Sequence, residues 1–272
     1  MLDTKQKKER APRNKTAPLQ PRFREDDVSL EIGVDEAGRG PLFGRLYVAA
    51  VILPNDQTAS GDTISSGDTI SSGDTISSGV SSKEGFRHDW MKDSKRFSSQ
   101  KKIREVAEYI KTNAVAWTVR YAESETIDEI NIRQAVLKTM RECCRDLIER
   151  AGPNTSVRLL IDGNDFPAYT QFDPVTETLI EIESHTVEGG DNQYTCIAAA
   201  SILAKVARDD WIEDLCKEHP CLSEWYGLDR NKGYGTADHM RGIKARGITE
   251  WHRKSYGPCK NAPMCIIPSK TI

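Results

Sequence analysis

Apolar stretches of strand length alternate with amphipathic stretches of helix length along this chain, which predicts an α/β layer fold. Its 272 residues, 38% of them hydrophobic, suffice for one sizeable core. No apolar run approaches the ~18 residues that cross a bilayer, so the apolar residues are left for that core.

The elements follow in order. Residues 1–24 lack periodicity and read as a disordered basic tail, with no apolar segment of the secretory type. Val28, Leu30, Ile32 and Val34 share one face of a strand over about 28–35. Ser29, Glu31, Gly33 and Asp35 share the other, so Asp35 is expected to point away from the apolar face. A second strand covers about 46–53. Residues 60–79 repeat Ser-Gly-Asp-Thr-Ile-Ser in tandem, and a single Ile per copy cannot build a core. They read as a flexible inserted loop, within an insertion over about 55–88.

Order is expected again near Trp90. Ser98 or Ser99 can cap a helix to about Lys111, with Ile103, Val106, Ala107 and Ile110 on one stripe. A strand over 114–122 precedes a helix over 131–151, with Ile132, Ala135, Val136 and Met140 inward and Gly152-Pro153 as its stop. Strands over 157–162 and 179–187 come next, the second with Glu181 and Glu183 on one face. A long helix follows Gly189-Gly190-Asp191, and a shorter one covers about 236–246.

Seven cysteines, an odd number without a Cys-x-x-Cys pair, argue against a disulfide framework and structural zinc and point to a reducing compartment. The formal net charge of −3 hides strong segregation. Residues 1–24 carry eight basic side chains against two acidic ones, a net of +6, and residues 230–260 carry the same balance. Residues 173–191 carry six acids and no Lys or Arg. Such a distribution allows a basic patch on an acidic protein; solvated faces would give the same pattern.

The run Ile32-Gly33-Val34-Asp35-Glu36-Ala37-Gly38-Arg39-Gly40-Pro41 puts two adjacent carboxylates at a strand end, followed by a glycine-flanked turn. Two such acids repel each other unless a cation or proton lies between them. Asp162 ends another strand, and Asp191 precedes the long helix. Carboxylates at element ends suit Mg²⁺ or Mn²⁺, which take hard oxygen ligands. Taken singly, Asp162 before Gly163 would serve equally as a turn residue and Asp191 as a helix N-cap. Asp209 lies 18 residues beyond Asp191, ~27 Å along a straight helix. That is too far for a shared pair of ions ~4 Å apart, so Asp209 reads as a surface or salt-bridged residue.

Seven motifs occur in order: Gly33-Val34-Asp35-Glu36-Ala37-Gly38-Arg39-Gly40-Pro41; Asp93-Ser94-Lys95; Ile161-Asp162-Gly163-Asn164; Gly190-Asp191; the run from Ala199 to Asp209; Lys232-Gly233-Tyr234-Gly235-Thr236; and His252-Arg253-Lys254-Ser255-Tyr256. This set resembles type 2 ribonuclease H, the bacterial-style ribonuclease HII, over about residues 28–260 apart from the repeat loop. A type 3 enzyme would instead carry Val-Gly-Thr-Gly after the acid pair.

The resemblance implies a ribonuclease-H-like mixed sheet flanked by helices, with a small helical C-terminal part. It implies a catalytic domain over 25–260 and a tail over 261–272. Asp35, Glu36, Asp162 and Asp191 would be the catalytic acids and would bind two divalent ions, Mg²⁺ or Mn²⁺. The substrates would be RNA–DNA hybrids and duplex DNA containing ribonucleotides, cut to 5′-phosphate and 3′-hydroxyl ends. Gly38, Arg39, Gly40 and Tyr234 would read the junction between a ribonucleotide and the next deoxyribonucleotide, since the 2′-hydroxyl is what marks RNA. Lys95, Lys205, Arg208 and the Arg253-Lys254 pair would bind phosphates. A cytoplasmic monomer without membrane contact is expected, with nuclear targeting left open by the basic tail if the host has a nucleus. No glutamine-plus-aromatic motif for a sliding clamp is recognisable. The chain departs from the family pattern at Arg45, Phe97, Asp165 and Asn231 and in the repeat insertion, none of which removes a proposed ligand.

Overall fold

Strand β1 (Leu30–Ala37) runs through the middle of the sheet, between β2 (Leu46–Ile52), antiparallel to it, and β5 (Val157–Asp162), parallel to it. The computed structural model describes residues 17–25, 29–54, 75–77, 85–153, 155–173 and 176–267. With β3 (Thr75–Ser77), β4 (Ala116–Ala122), β6 (Tyr169–Asp173) and β7 (Thr178–Val187), the seven-stranded order is β3-β4-β2-β1-β5-β7-β6. The β5–β7 pair is also parallel and the remaining pairs are antiparallel, so the sheet is mixed, as expected.

Helices cover both faces. Helix α1 (Gln100–Asn113) starts at Ser99, whose hydroxyl accepts the Lys102 N–H at 3.2 Å, and buries Ile103, Val106, Ala107 and Ile110 as its stripe requires. Helix α2 (Ser124–Ala151) packs Ala135, Val136, Met140, Cys143, Cys144 and Leu147 against Ile32, Val34, Val48, Leu159 and Ile161. It begins earlier than the stripe suggests. Asn131, at φ 65°, breaks it into two helical runs, and its side chain caps the second by accepting the Gln134 N–H at 3.1 Å. Residue 131 is thus a helix start, but a further short run precedes it.

Helix α3 (Thr195–Glu218) lies on the other face, where Ala198, Ala199, Ala200 and Leu203 join Ala49, Val51 and α1. It also touches the C-terminal part built from α4 (Cys221–Tyr226), α5 (Leu228–Asn231) and α6 (Ala237–Arg246). An element apolar all round is a central one. All seven cysteines are free thiols. Among the described residues no helix is long and apolar enough to cross a membrane.

Several expectations change. The tail does not stay detached to residue 24: the Gln20 N–H donates to the Gln193 carbonyl at 2.7 Å, and Phe23 packs on His185 and Tyr194. Residues 1–16 lie outside the description. The second face of β1, which holds Glu31, Gly33 and Asp35, is covered by α3. A Cβ on Gly33 would stand 2.3 Å from the Cys196 carbonyl carbon, so only glycine lets that helix approach. Glu31, on the same face, is buried between Arg158 and Arg22. Strand β6, which carries no clear alternation, forms an edge hairpin with β7. Most of the repeat lies outside the described residues, but Thr75–Ser77 pairs with β4 at the opposite edge.

Candidate active site

Register brings the first acids together. Val34 pairs with Ile161 across β1 and β5, so Asp35 and Asp162, one residue on, end neighbouring parallel strands. Such strands lie ~4.8 Å apart. Asp162 pairs with Val187 of β7, after which the chain turns into a 3-10 turn, Gly190–Asn192. The Gly190 N–H donates to Asp162 Oδ1 at 2.7 Å and ties that turn to the end of β5, with Asp191 next in line. Asp191 does not cap α3, whose N-cap is Tyr194 without a side-chain bond. Its Oδ1 accepts from Asn192 Nδ2 at 2.9 Å.

These acids feel one another. Burial pushes the Asp35 carboxyl well above the usual carboxylate range, and repulsion from Asp162 and Glu36 adds to it. Glu36 is raised by burial and by Asp162, against the pull of Arg39, whose Nη1 stands 3.3 Å from Glu36 Oε1. Burial raises Asp162 as well, opposed by the N–H groups of Gly190, Asp191 and Gly163. Asp191 is raised by burial, then by Asp93 and Asp162. Raised carboxylates that share a cleft mark a place where positive charge is wanted.

The donor set is all carboxylate, the chemistry of Mg²⁺ and Mn²⁺ sites. Each acid nonetheless has a local donor of its own. Among the described residues no three acidic, His or Cys side chains stand close enough together to hold an ion as they are placed.

A lysine occupies the neighbourhood. Lys95 follows Asp93 and Ser94 in a 3-10 turn, Ser94–Arg96, whose buried Ser94 hydroxyl lies 3.0 Å from Ser201 of α3. The Ser201 hydroxyl also counters part of the rise in the Asp35 pKa. Burial lowers the Lys95 ammonium, but attraction to Asp93, Asp191, Asp35 and Asp162 outweighs it and raises the pKa. The two serines tie the Lys95 turn to α3, a contact the spacing alone did not reveal; the Asp93-Ser94-Lys95 motif was the available signal.

The turn over residues 38–44 borders this end of the sheet, and its shape comes from far along the chain. Arg253, fully buried, donates to the carbonyls of Gly38 at 2.6 Å, Pro41 at 2.9 Å, Gly44 at 3.0 Å and Arg39 at 3.1 Å. Tyr256 Oη donates to the Arg39 carbonyl at 2.7 Å. Arg208 is also buried: its Nη2 donates to the Lys232 carbonyl at 2.7 Å, and Gly38, at φ +104°, is the residue small enough to sit over its side chain. Burial and the nearby Arg253 charge lower the Arg208 guanidinium to about 10. Neither arginine is placed to meet a phosphate directly, contrary to expectation. With a fork of donors and no exposed surface, each serves backbone carbonyls instead.

Other expected contacts sort as follows. Arg39 is exposed beside Glu36, and Tyr234 is 49% exposed, its ring 3.6 Å from where a Cβ on Gly40 would stand. The turn and the tyrosine are therefore neighbours. Lys205 is ion-paired with the buried Asp209 at 2.6 Å, so Asp209 is salt-bridged and not at the surface. Arg45 pairs with Glu123 and lies over the rings of Tyr121 and Trp211. Asp165 pairs with Arg133. Asn231 accepts the Gly233 N–H at 2.8 Å and so shapes the Tyr234 loop.

Comparison with known proteins agrees with this layout. The family profile described as Ribonuclease HII matches residues 32–63 and 79–259. The Ribonuclease HII of Parabacteroides distasonis is 36% identical over 227 residues, 84% of this chain and 89% of that one. Among solved structures, the fold is shared with ribonuclease H2 from Pyrococcus horikoshii OT3 (TM-score 0.52, 19% identity, 85% and 95% of the two chains). It is shared too with Bst-RNase HIII in complex with Mn²⁺ (TM-score 0.55, 18% identity, 85% and 68%). With its four acids at one end of the sheet and a family match that runs from β1 to beyond Tyr256, the chain belongs to the ribonuclease HII family.

Proposed function

We propose that this ribonuclease H cuts the RNA strand of RNA–DNA hybrids and also cuts duplex DNA at single embedded ribonucleotides. The observation that carries the reading is the convergence of Asp35 and Asp162 by strand register, with Asp191 tied to them through the Gly190 N–H. Asp35, Glu36, Asp162 and Asp191 would hold two divalent cations, Mg²⁺ or Mn²⁺, in exchange for their present local donors. Bound ions of this kind supply a water of lowered pKa and neutralise charge at the leaving oxygen, which yields a 5′-phosphate and a 3′-hydroxyl.

The protein's own groups would do the rest. The Glu36 N–H orients the Asp35 carboxylate, and the Gly190 N–H orients Asp162. Lys95, exposed beside the acids, would meet a phosphate oxygen, and Lys205 could exchange Asp209 for one. The backbone over Gly38, Arg39 and Gly40 would engage the 2′-hydroxyl, which both donates and accepts. Tyr234 would stack on the following sugar and disfavour a hydroxyl there. All these groups come from one chain, consistent with a monomer whose catalytic unit spans about 25–260 in a reducing compartment such as the cytoplasm.

The test compares nicking of a duplex carrying one ribonucleotide with cleavage of an all-RNA strand in a hybrid, each with Mg²⁺ and with Mn²⁺. Incision 5′ to the ribose in at least one metal is expected. Cleavage of the hybrid alone, or no incision with either ion, overturns the reading.

A further inference from the structure

Two fully buried histidines link the Tyr234 loop to the C-terminal segment. The Thr249 N–H donates to His252 Nδ1 at 3.0 Å, which makes Nδ1 an acceptor and leaves the proton of the neutral ring on Nε2. His252 Nε2 stands 3.0 Å from His239 Nε2 and donates to it. His239 must then carry its own proton on Nδ1, which lies 3.0 Å from the Tyr234 carbonyl and donates to it. One direction of proton placement satisfies every partner, so the tautomers follow from the network. The rings are wedged in place, His252 against Phe43 and Tyr226 with centroids 4.9 Å away in each case.

The next residue, Arg253, grips the turn on the opposite side through four carbonyls. Consecutive residues thus hold two neighbouring elements, the Tyr234 loop and the Gly38-Arg39-Gly40 turn, which meet where the Tyr234 ring lies against Gly40. We propose that His239 is a positioning residue for substrate discrimination: its Nδ1–H fixes the Tyr234 backbone, and His252 serves it by holding the His239 ring in the tautomer that donates. The inference rests on the reading of Tyr234 and the turn as the junction readers. It assigns specificity to a pair of side chains that never touch the nucleic acid.

The test uses two substitutions at one position. His239→Asn keeps a donor where Nδ1 was, toward Tyr234, and loses the partner of His252. His239→Gln keeps a partner for His252 and loses the donor to Tyr234. The readout is the ratio of kcat/KM on the one-ribonucleotide duplex to that on the hybrid. His239→Asn should hold this ratio within about twofold of wild type, while His239→Gln lowers it about fivefold, the size of one lost hydrogen bond. In a Tyr234→Ala background His239→Gln should cause no further loss, because the two act in series.

Equal ratios for both His239 variants, or a loss that adds to that of Tyr234→Ala, overturn the inference. If Tyr234→Ala itself leaves the ratio unchanged, the reading of Tyr234 fails and the inference falls with it. If Tyr234→Ala collapses the ratio and His239→Gln does not, the inference alone falls. Nitrogen NMR of the wild-type protein tests the relay without any variant. Protonated His252 Nε2 and His239 Nδ1, coupled through the His252–His239 bond, are expected, and any other tautomer pair refutes the arrangement.

Discussion

The carboxylate end of the sheet and the C-terminal bracket over residues 249–256 are both built around buried polar groups, yet on opposite principles. In the bracket the buried polar groups have their complements: Arg253 meets four carbonyls and a tyrosine hydroxyl, and the histidines pass one hydrogen bond to the next. At the sheet end Asp35, Glu36, Asp162 and Asp191 raise one another's pKa or are raised by burial, and among the described residues Lys95 and Arg39 offset the negative charge. The bracket stabilises the fold. The acids oppose it until something positive arrives, which is the signature of a site shaped for a ligand and not for stability.

That contrast is sharpest at Asp35. Asp35→Asn should lower hydrolysis by about a hundredfold or more, since a proposed ligand is lost. The same change should raise the melting temperature of the metal-free protein, because a buried charge and its repulsion disappear. A melting temperature that falls would show that the carboxylate is needed for folding and would erase the difference between the regions.

Arg253→Lys probes the other side. The charge survives but the planar fork does not, and carbonyls 38, 39, 41 and 44 cannot all be served. Stability in urea should fall by about 2–3 kcal/mol, with kcat/KM falling as the turn loosens. An unchanged unfolding midpoint would mean that the turn holds itself.

The two regions should also respond oppositely to acid. Burial, with the neighbouring His239 adding to it, drives the His252 imidazole down to about 3, so the folded protein keeps it neutral where the unfolded chain binds a proton. Its contribution is full above pH 6.5 and is lost as pH falls toward 3, at about 1.4 kcal/mol per unit once well below 6.5. The acids have raised folded values, so their protonation relieves the native state as pH falls. Urea unfolding between pH 7 and 5 should show wild type losing stability and Asp35→Asn losing more, since the compensating acid is gone. Equal slopes would contradict this.

The smallest effect is expected at the surface. Arg133 pairs with Asp165 at 2.6 Å, but both are substantially exposed. Arg133→Ala should change stability by less than about 1 kcal/mol and leave cleavage alone. A large loss would show that the pair steers the nearby Asp162 strand end.

Much of the architecture was legible in local pattern. The Ser99 cap and the stripe of α1, the extent of β5 and the Gly152 stop all follow from periodicity and capping chemistry, which act over a few residues. The misses have non-local causes. Residues 17–24 looked aperiodic, yet Gln20 pairs with residues 193–195 by backbone alone, which leaves no side-chain signature. Asn131 reads as a helix start, and nothing in the stripe reveals a second run joined before it. Asp209, read as a surface or salt-bridged residue from its distance along the helix, is salt-bridged to Lys205, and only its burial came from packing.

From the sequence alone came the alternation of layers, the acids at element ends and the glycine turn beside them, because backbone geometry ties residue spacing to face and terminus. Tertiary structure alone decided which cations were structural. Arg208 and Arg253 look like phosphate ligands on paper, but a guanidinium binds whatever acceptors surround it. For Arg253 those acceptors are carbonyls more than 200 residues away, at Gly38 and its neighbours.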